Sequence, residues 1–219
     1  MMKDKAFKLV AIEGNIGAGK STLLGPLVDA LNTVTGERWQ LIKEDVDENP
    51  EFQKLLAEFT QDPSARIRFQ RFITNHRAKL LEGVDESINY IIERSLVSDL
   101  IFSQANLSNM PRPDGDDICY YYDIHDRLED YPKIDMVIYL KTTPKVCYER
   151  MLDRARESEA GTPEEYIRLI SDFHDCMLPH ICKDHEIELA DLNWDDFGCP
   201  NNVAEMIHKS FTKNKKAAA

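Results

Sequence analysis

Short apolar runs alternate along this chain with longer segments whose apolar residues recur every three to four positions. The first run, KLVAIE at 8–13, follows Phe7 and is apolar on both sides of the pleat through Leu9, Val10 and Ile12, as a buried central strand should be. QLIK at 40–43, NYIIE at 89–93, MVIYL at 136–140 and EIELA at 186–190 read as four further strands. Helical stretches are read at 20–31, 51–59, 64–81, 98–108, 118–128, 144–155 and 163–177. Strands alternating with helices predict an α/β domain with a parallel sheet covered on both faces.

Punctuation supports some of these boundaries. Thr143-Pro144 and Thr162-Pro163 each place a capping hydroxyl before a first-turn proline, and Thr162 with Glu165 fits a capping box. NMPRPDGDD at 109–117 is a turn-rich loop, and RESEAGTP at 156–163 breaks two helices apart. With no internal repeat and no low-complexity linker, residues 1–219 read as one domain, with 212–219 as a frayed tail.

Composition narrows the function classes. A chain of 219 residues buries a substantial core, and 42% hydrophobic with 30% charged residues is no signature of disorder. The net charge of −12 argues against a general nucleic-acid binder, although a small anion needs only a local cluster of positive charge. The five cysteines form no CxxC pair and no zinc spacing, which favours reduced thiols in a cytosolic protein. The charged start is no signal peptide, and no apolar run approaches membrane-spanning length.

The chemistry begins at GNIGAGKS, 14–21. Gly14, four residues, then Gly19-Lys20-Ser21 is the phosphate-loop pattern, set between a strand and an amphipathic helix where the pattern has meaning. Its backbone N–H groups form a nest at a helix N-terminus that cradles phosphate. The cradle comprises Gly14, Asn15, Ile16, Gly17, Ala18, Gly19, Lys20, Ser21 and Thr22. Lys20 would reach the β and γ phosphates of a nucleoside triphosphate, and the Ser21 hydroxyl would ligate Mg2+.

Other positions decide what receives the phosphate. A regulatory GTPase would show a DxxG followed further on by an NKxD, and no such ordered pair is present. The strand at 89–93 ends in Glu93-Arg94-Ser95, where Glu93 suits a magnesium ion or its water and Arg94 suits anionic oxygens or the acceptor hydroxyl. A strand-end ion pair is the plainer alternative. Glu44 directly follows the second strand, in the crevice where such sheets bind ligands, and could take the proton of an attacking hydroxyl. Asp45, Asp47 and Glu48 read equally well as a solvated acidic loop. Arg150, Arg154 and Arg156 in YERMLDRARESE fit either an ordinary charged helix face or a lid, approximately 150–163, that lays guanidinium groups over the transferred phosphate.

Taken together, GNIGxGKS, ERS at 93–95 and YLKTTPKVCYERMLDRARESE from Tyr139 resemble the deoxynucleoside kinases, in family order from about residue 7 to 197. The resemblance implies a five-stranded parallel sheet and a homodimer formed through helices outside it. It implies Glu44 as the base for a sugar 5′-hydroxyl that Arg94 also contacts, with Ser21 and Glu93 on Mg2+ and Arg150, Arg154 and Arg156 on the phosphates of ATP. Glu159 falls where the family's lid carboxylate contacts the sugar 3′-hydroxyl, while Phe59 or Thr60 falls near the place of its sugar-binding tyrosine. Phe69 and Gln70 match a base-reading pair, and Arg77 with Asp99 typify the branch acting on deoxycytidine and purine deoxynucleosides. After Asp99 the chain reads LIF, where relatives commonly have one residue more, so the place of Phe102 against the base is left open. NWDDFG at 193–198 resembles the donor-base loop, with Phe197 stacking and Asp196 reading an edge. The function so implied is nucleotide salvage in the cytoplasm, or the host cytoplasm for a virus-encoded chain, with no nucleic-acid or membrane partner. Its rivals are a nucleoside monophosphate kinase of the thymidylate-kinase kind and a silent nucleotide-binding module. The thymidylate kinases typically carry DR and an aromatic residue where this chain has ERS.

Overall fold

A computed structural model describes residues 2–3, 5–43, 49–62, 65–110 and 112–217. Five strands form one sheet: β1 (Leu9–Glu13), β2 (Trp39–Ile42), β3 (Asn89–Glu93), β4 (Met136–Lys141) and β5 (Glu188–Asn193). Their order is β2-β3-β1-β4-β5, and every pairing is parallel. The helices among the described residues are α1 (Lys20–Thr35), α2 (Pro50–Gln61), α3 (Arg66–Lys79), α4 (Leu96–Ser108), α5 (Gly115–Asp130), α6 (Pro144–Arg154), α7 (Glu164–Asp184) and α8 (Pro200–Ala217).

The two-sided hydrophobicity of β1 is explained by what lies above and below it. Leu9 and Ala11 face a core with Tyr90, Ile92 and Val137 of the sheet and Leu100, Ile101, Ile124 and Leu178 of α4, α5 and α7. Val10 and Ile12 point the other way, to Leu23, Leu27 and Leu31 of α1 and Val203 and Ile207 of α8. Period-two alternation thus feeds both cores from one strand. Burying each of these Leu, Ile or Val side chains contributes roughly 1.5–3 kcal/mol. With β1 between β3 and β4, the strand order reverses at its C-terminal end, the place where open α/β sheets hold ligands.

Several boundaries differ from the sequence reading. Strand 186–190 lies later, at Glu188–Asn193, because α7 runs on to Asp184 and Glu186 turns left-handed, φ 52°, before the chain enters the sheet. Pro179 lies inside α7, which runs past the end at residue 177 read from the sequence. Neither Thr143 nor Thr162 caps with its hydroxyl. Thr143 does precede Pro144 at the start of α6, but it is its backbone N–H that is used, donating to Asp195 Oδ1 at 2.7 Å. At α7 the N-cap is Pro163 itself, so the Thr162–Glu165 box does not form. The loop at 109–117 is shorter than read, because Asp114 and Asp117 build a capping box that starts α5 at Gly115. Helix α8 has no counterpart in the sequence reading, and it carries 212–217, read as frayed tail, as helix.

Candidate active site

The phosphate loop sits where β1 ends and α1 begins, and two of its glycines are required by their surroundings. Gly17 has φ 74°, and a Cβ there would lie 2.0 Å from the Cys147 carbonyl oxygen at the start of α6. Gly19 has φ 96°, and a Cβ there would lie 2.6 Å from Cε1 of Phe197. Only glycine meets both demands. Asn15 is buried and pins the loop to α7, donating from Nδ2 to Ile167 O at 2.7 Å and to Ser171 Oγ at 2.6 Å. Its Oδ1 accepts from the Ile16 N–H. Lys20 is buried within the loop, its ammonium donating to Asn15 O at 2.8 Å and Gly14 O at 3.3 Å. The Cys147 thiol behind it is pushed up to about 11, chiefly by burial.

A cavity of about 420 Å³ runs from this loop across the C-terminal ends of the strands. At the loop end lie Lys20, Ser21, Thr22 and Glu93, with Ser21 Oγ donating to Glu93 Oε1 at 3.3 Å. A hydroxyl and a carboxylate side by side are hard oxygen donors of the kind Mg2+ takes, and that ion draws its remaining ligands from water and substrate phosphate. Among the described residues no group of three or more His, Cys, Asp or Glu is placed to hold a metal.

Arg94 follows Glu93 with a left-handed backbone, φ 61°, and its guanidinium lies 4.8 Å over the Phe102 ring. This fixes Phe102, left open by the sequence, in the cavity wall. Glu44 and the acidic run through Glu48 lie outside the described residues.

The far end of the cavity carries the base-reading candidates. Positions 70, 73 and 77 lie on one face of α3, and Gln70, Ile73 and Arg77 all line the cavity. Asp99, from the first turn of α4, meets them: its Oδ1 accepts from Gln70 Nε2 at 2.9 Å and from Arg77 Nη1 in a buried ion pair. Phe69 is packed between Phe52 and Phe59 at ring-centroid distances of 5.3 and 5.2 Å, and Phe59 lies 5.7 Å from Tyr166. The remaining side chain of Thr60 lies outside the described groups.

The arginines after α6 are held in two different ways. Arg150 donates to Ala18 O at 3.2 Å, Trp194 O at 3.1 Å and Asp195 O at 2.5 Å, and lies 4.1 Å over the Phe197 ring. It therefore clamps the phosphate loop to the turn between β5 and α8. Arg154 grips both oxygens of Glu159 at 2.6 Å, and Arg156 lies 3.5 Å from the same carboxylate. Glu159 stands in a short 3-10 turn, Glu157–Glu159, inside the helix break. Phe197 is exposed on the cavity rim, whereas Asp196 is exposed outside the cavity lining.

Sequence reasoning missed Tyr166, which lines the cavity while its hydroxyl donates to Asn106 Oδ1 at 3.0 Å. The helical spacing marks it only as a core position. It also missed Glu13, fully buried directly before Gly14, whose placement at a strand end beside a phosphate loop was the available signal.

Known proteins resemble the chain over this whole frame. The deoxynucleoside kinase family model matches residues 10–214. A probable deoxycytidine kinase of Fowlpox virus is 32% identical over 190 residues, covering 84% of this chain and 77% of that protein. The deoxyguanosine kinase of Dictyostelium discoideum is 26% identical over 208 residues, covering 92% and 69%. Among solved structures, a deoxyadenosine kinase from M. mycoides with bound dATP superposes with a TM-score of 0.69 at 25% identity, covering 93% of this chain and 99% of that one. With residues of the 14–21 loop, Glu93-Arg94 and the Gln70–Arg77–Asp99 cluster all lining one cavity, and with a family match over residues 10–214, the chain belongs to the deoxynucleoside kinase family.

Proposed function

We propose that this kinase transfers the γ-phosphoryl group of ATP to the 5′-hydroxyl of a deoxynucleoside bearing an exocyclic amino group, a purine deoxynucleoside or deoxycytidine. The observation that carries this reading is the single cavity with a phosphate loop at one end and the Gln70–Arg77–Asp99 cluster at the other. With Gln70 Nε2 and Arg77 both turned to Asp99, the Gln70 Oε1 is left as acceptor for a base N–H. The Asp99 carboxylate accepts from an amino group on the same edge. Phe69 and Phe102 bound the slot in which a flat base sits.

In this reading the loop amides of Gly14 to Thr22 and the Lys20 ammonium hold the β and γ phosphates. Ser21 and Glu93 hold Mg2+, which neutralises charge on the phosphates when bound. Glu44 accepts the 5′-hydroxyl proton while Arg94 orients that oxygen, and Arg154 and Arg156 leave Glu159 for the transferred group. Glu159 is then released toward the sugar 3′-hydroxyl. Arg150 keeps the phosphate loop and the Phe197 turn together, so the donor base stacks on Phe197, with Asp196 at its edge. The protein acts in nucleotide salvage in the cytoplasm, as a homodimer. Ile118 and Tyr122, exposed on α5, offer apolar surface that a second copy would cover, and sedimentation equilibrium reads the assembly state.

The decisive assay supplies ATP, magnesium and each of the four deoxynucleosides and their monophosphates, with products separated by chromatography. Monophosphates should appear from amino-bearing deoxynucleosides. Diphosphates from the monophosphate arm alone would assign the chain to the monophosphate kinases instead. Glu44→Gln should lower kcat by about a hundredfold or more, the scale of losing a general base.

A further inference from the structure

A carboxylate buried beside a phosphate site is costly and calls for a specific partner. Glu13 is 0% exposed at the tip of β1, one residue before Gly14. Burial raises its pKa, outweighing the bonds from Ser98 and Ser95. No lysine or arginine makes a hydrogen bond or ion pair with it among the described residues; three neutral donors serve it instead. Its Oε1 accepts from Ser95 N at 2.9 Å and Ser95 Oγ at 2.7 Å, and its Oε2 accepts from Ser98 Oγ.

These partners bracket Arg94. Ser95 is the next residue and the N-cap of α4, its oxygen also accepting from Val97 N at 3.2 Å. Ser98 lies one turn on, and its oxygen accepts from Arg94 Nη1 at 3.4 Å. The backbone of Arg94 is left-handed, a conformation that residues with a Cβ seldom adopt unless their surroundings hold them there. Glu13 thus fixes the peptide on one side of that residue through Ser95 and its guanidinium through Ser98.

We infer that Glu13 and Ser98 are positioning residues for Arg94, forming a relay from Glu13 Oε2 through Ser98 Oγ to Arg94 Nη1 that aims the guanidinium at the reacting oxygen; this rests on the proposed role of Arg94 in phosphoryl transfer. The polarity of the relay matters. With an ionised or acceptor-only partner at Glu13, the Ser98 proton points to the acid and its lone pairs face Arg94. An amide at position 13 would turn a donor toward Ser98, leaving the serine with two donors and its own proton without an acceptor.

The test is a double-mutant cycle on kcat and KM in the deoxynucleoside kinase assay, with circular dichroism as the fold check. Ser98→Ala should lower kcat roughly tenfold while the KM for ATP stays within about twofold, since a misaimed group costs rate rather than donor binding. Combined with Arg94→Ala it should cost nothing beyond Arg94→Ala alone. Near-normal kcat in Ser98→Ala, or losses that multiply in the double variant, would overturn the inference. Wild-type kcat in Arg94→Ala would instead overturn the role of Arg94, and the relay with it. Should Ser98→Ala fail to fold, Glu13→Gln, which keeps the shape and the Ser95 contacts, is scored by the same criteria. Two unfolded variants would make both residues structural and also overturn the inference.

Discussion

The Arg77–Asp99 pair is the most exposed point of the proposed base site to a quantitative test. Both side chains are nearly buried, at 5% and 1% exposure, and Gln70 donates to the same carboxylate oxygen. Removing one member of a buried pair typically costs about 3–5 kcal/mol, because the other charge loses its counter-group where water cannot replace it. Asp99→Ala deprives two donors at once, the guanidinium and the Gln70 amide, so it should lie at the upper end of that range. Arg77→Leu leaves Asp99 its glutamine and should cost less. Replacing both, Arg77→Leu with Asp99→Ala, removes the desolvation cost along with the attraction and should recover most of the loss. In a chain of this size each kcal/mol moves Tm by roughly 2–4 °C, so Asp99→Ala should melt roughly 10–20 °C below the parent. Urea denaturation followed by far-UV circular dichroism gives the free energies, and differential scanning calorimetry the Tm values. The double variant should also lose preference for amino-bearing bases over thymidine in kcat/KM. Single variants within about 1 kcal/mol of the parent, as for a solvated pair, or a double variant showing the sum of the two, would refute the reasoning.

Gly17→Ala should lower ATP affinity at least about tenfold in titration calorimetry, since its Cβ would strike the Cys147 carbonyl and any relief distorts the nest. Lys20→Ala should abolish transfer while leaving the far-UV spectrum unchanged. Glu13 has its carboxyl raised by burial, so the stability it contributes is full below its unfolded-state value and is lost as pH rises through its folded one. Glu13→Gln does not titrate, and its unfolding free energy relative to the parent should therefore climb with pH; a flat or falling difference would contradict the assignment. In the native protein Cys119, Cys176 and Cys199 should react promptly with a thiol reagent, while buried Cys147 and Cys182, held up to about 11 and about 12 mainly by burial, should react only after unfolding.

The sheet was readable because its signal is local. Leu9, Val10 and Ile12 leave no polar face, and only a strand covered on both sides explains that. The loop at 14–21 and Glu93-Arg94 are likewise contiguous in sequence, and residues of both line one cavity. What escaped was set by distant contacts. Helix α8 covers α1 and the sheet through Val203 and Ile207, but it opens on Pro200 and its last residues are lysine- and alanine-rich, so local composition resembles a tail. The Thr162 hydroxyl has the right neighbours for a cap, yet the 3-10 turn ahead of it takes the Thr162 N–H to Glu159 O and shifts the helix start past Pro163. The resemblance implies a phosphate role for Arg150, and the carbonyls of Ala18, Trp194 and Asp195 that it also holds come from two other parts of the chain, out of reach of local pattern.

The central place of β1 has a consequence for biosynthesis. Its two flanking partners are far downstream: Leu9 pairs with Tyr90, and Val10 with Met136. A nascent chain emerging from the ribosome therefore carries this wholly buried strand for over half of its synthesis with one or both edges bare. Parallel pairings of such long sequence separation form slowly, and bare edges invite pairing with other chains. Truncation before Met136 should yield aggregate rather than a smaller enzyme, and chaperone demand during translation should fall only once the fourth strand has left the exit tunnel.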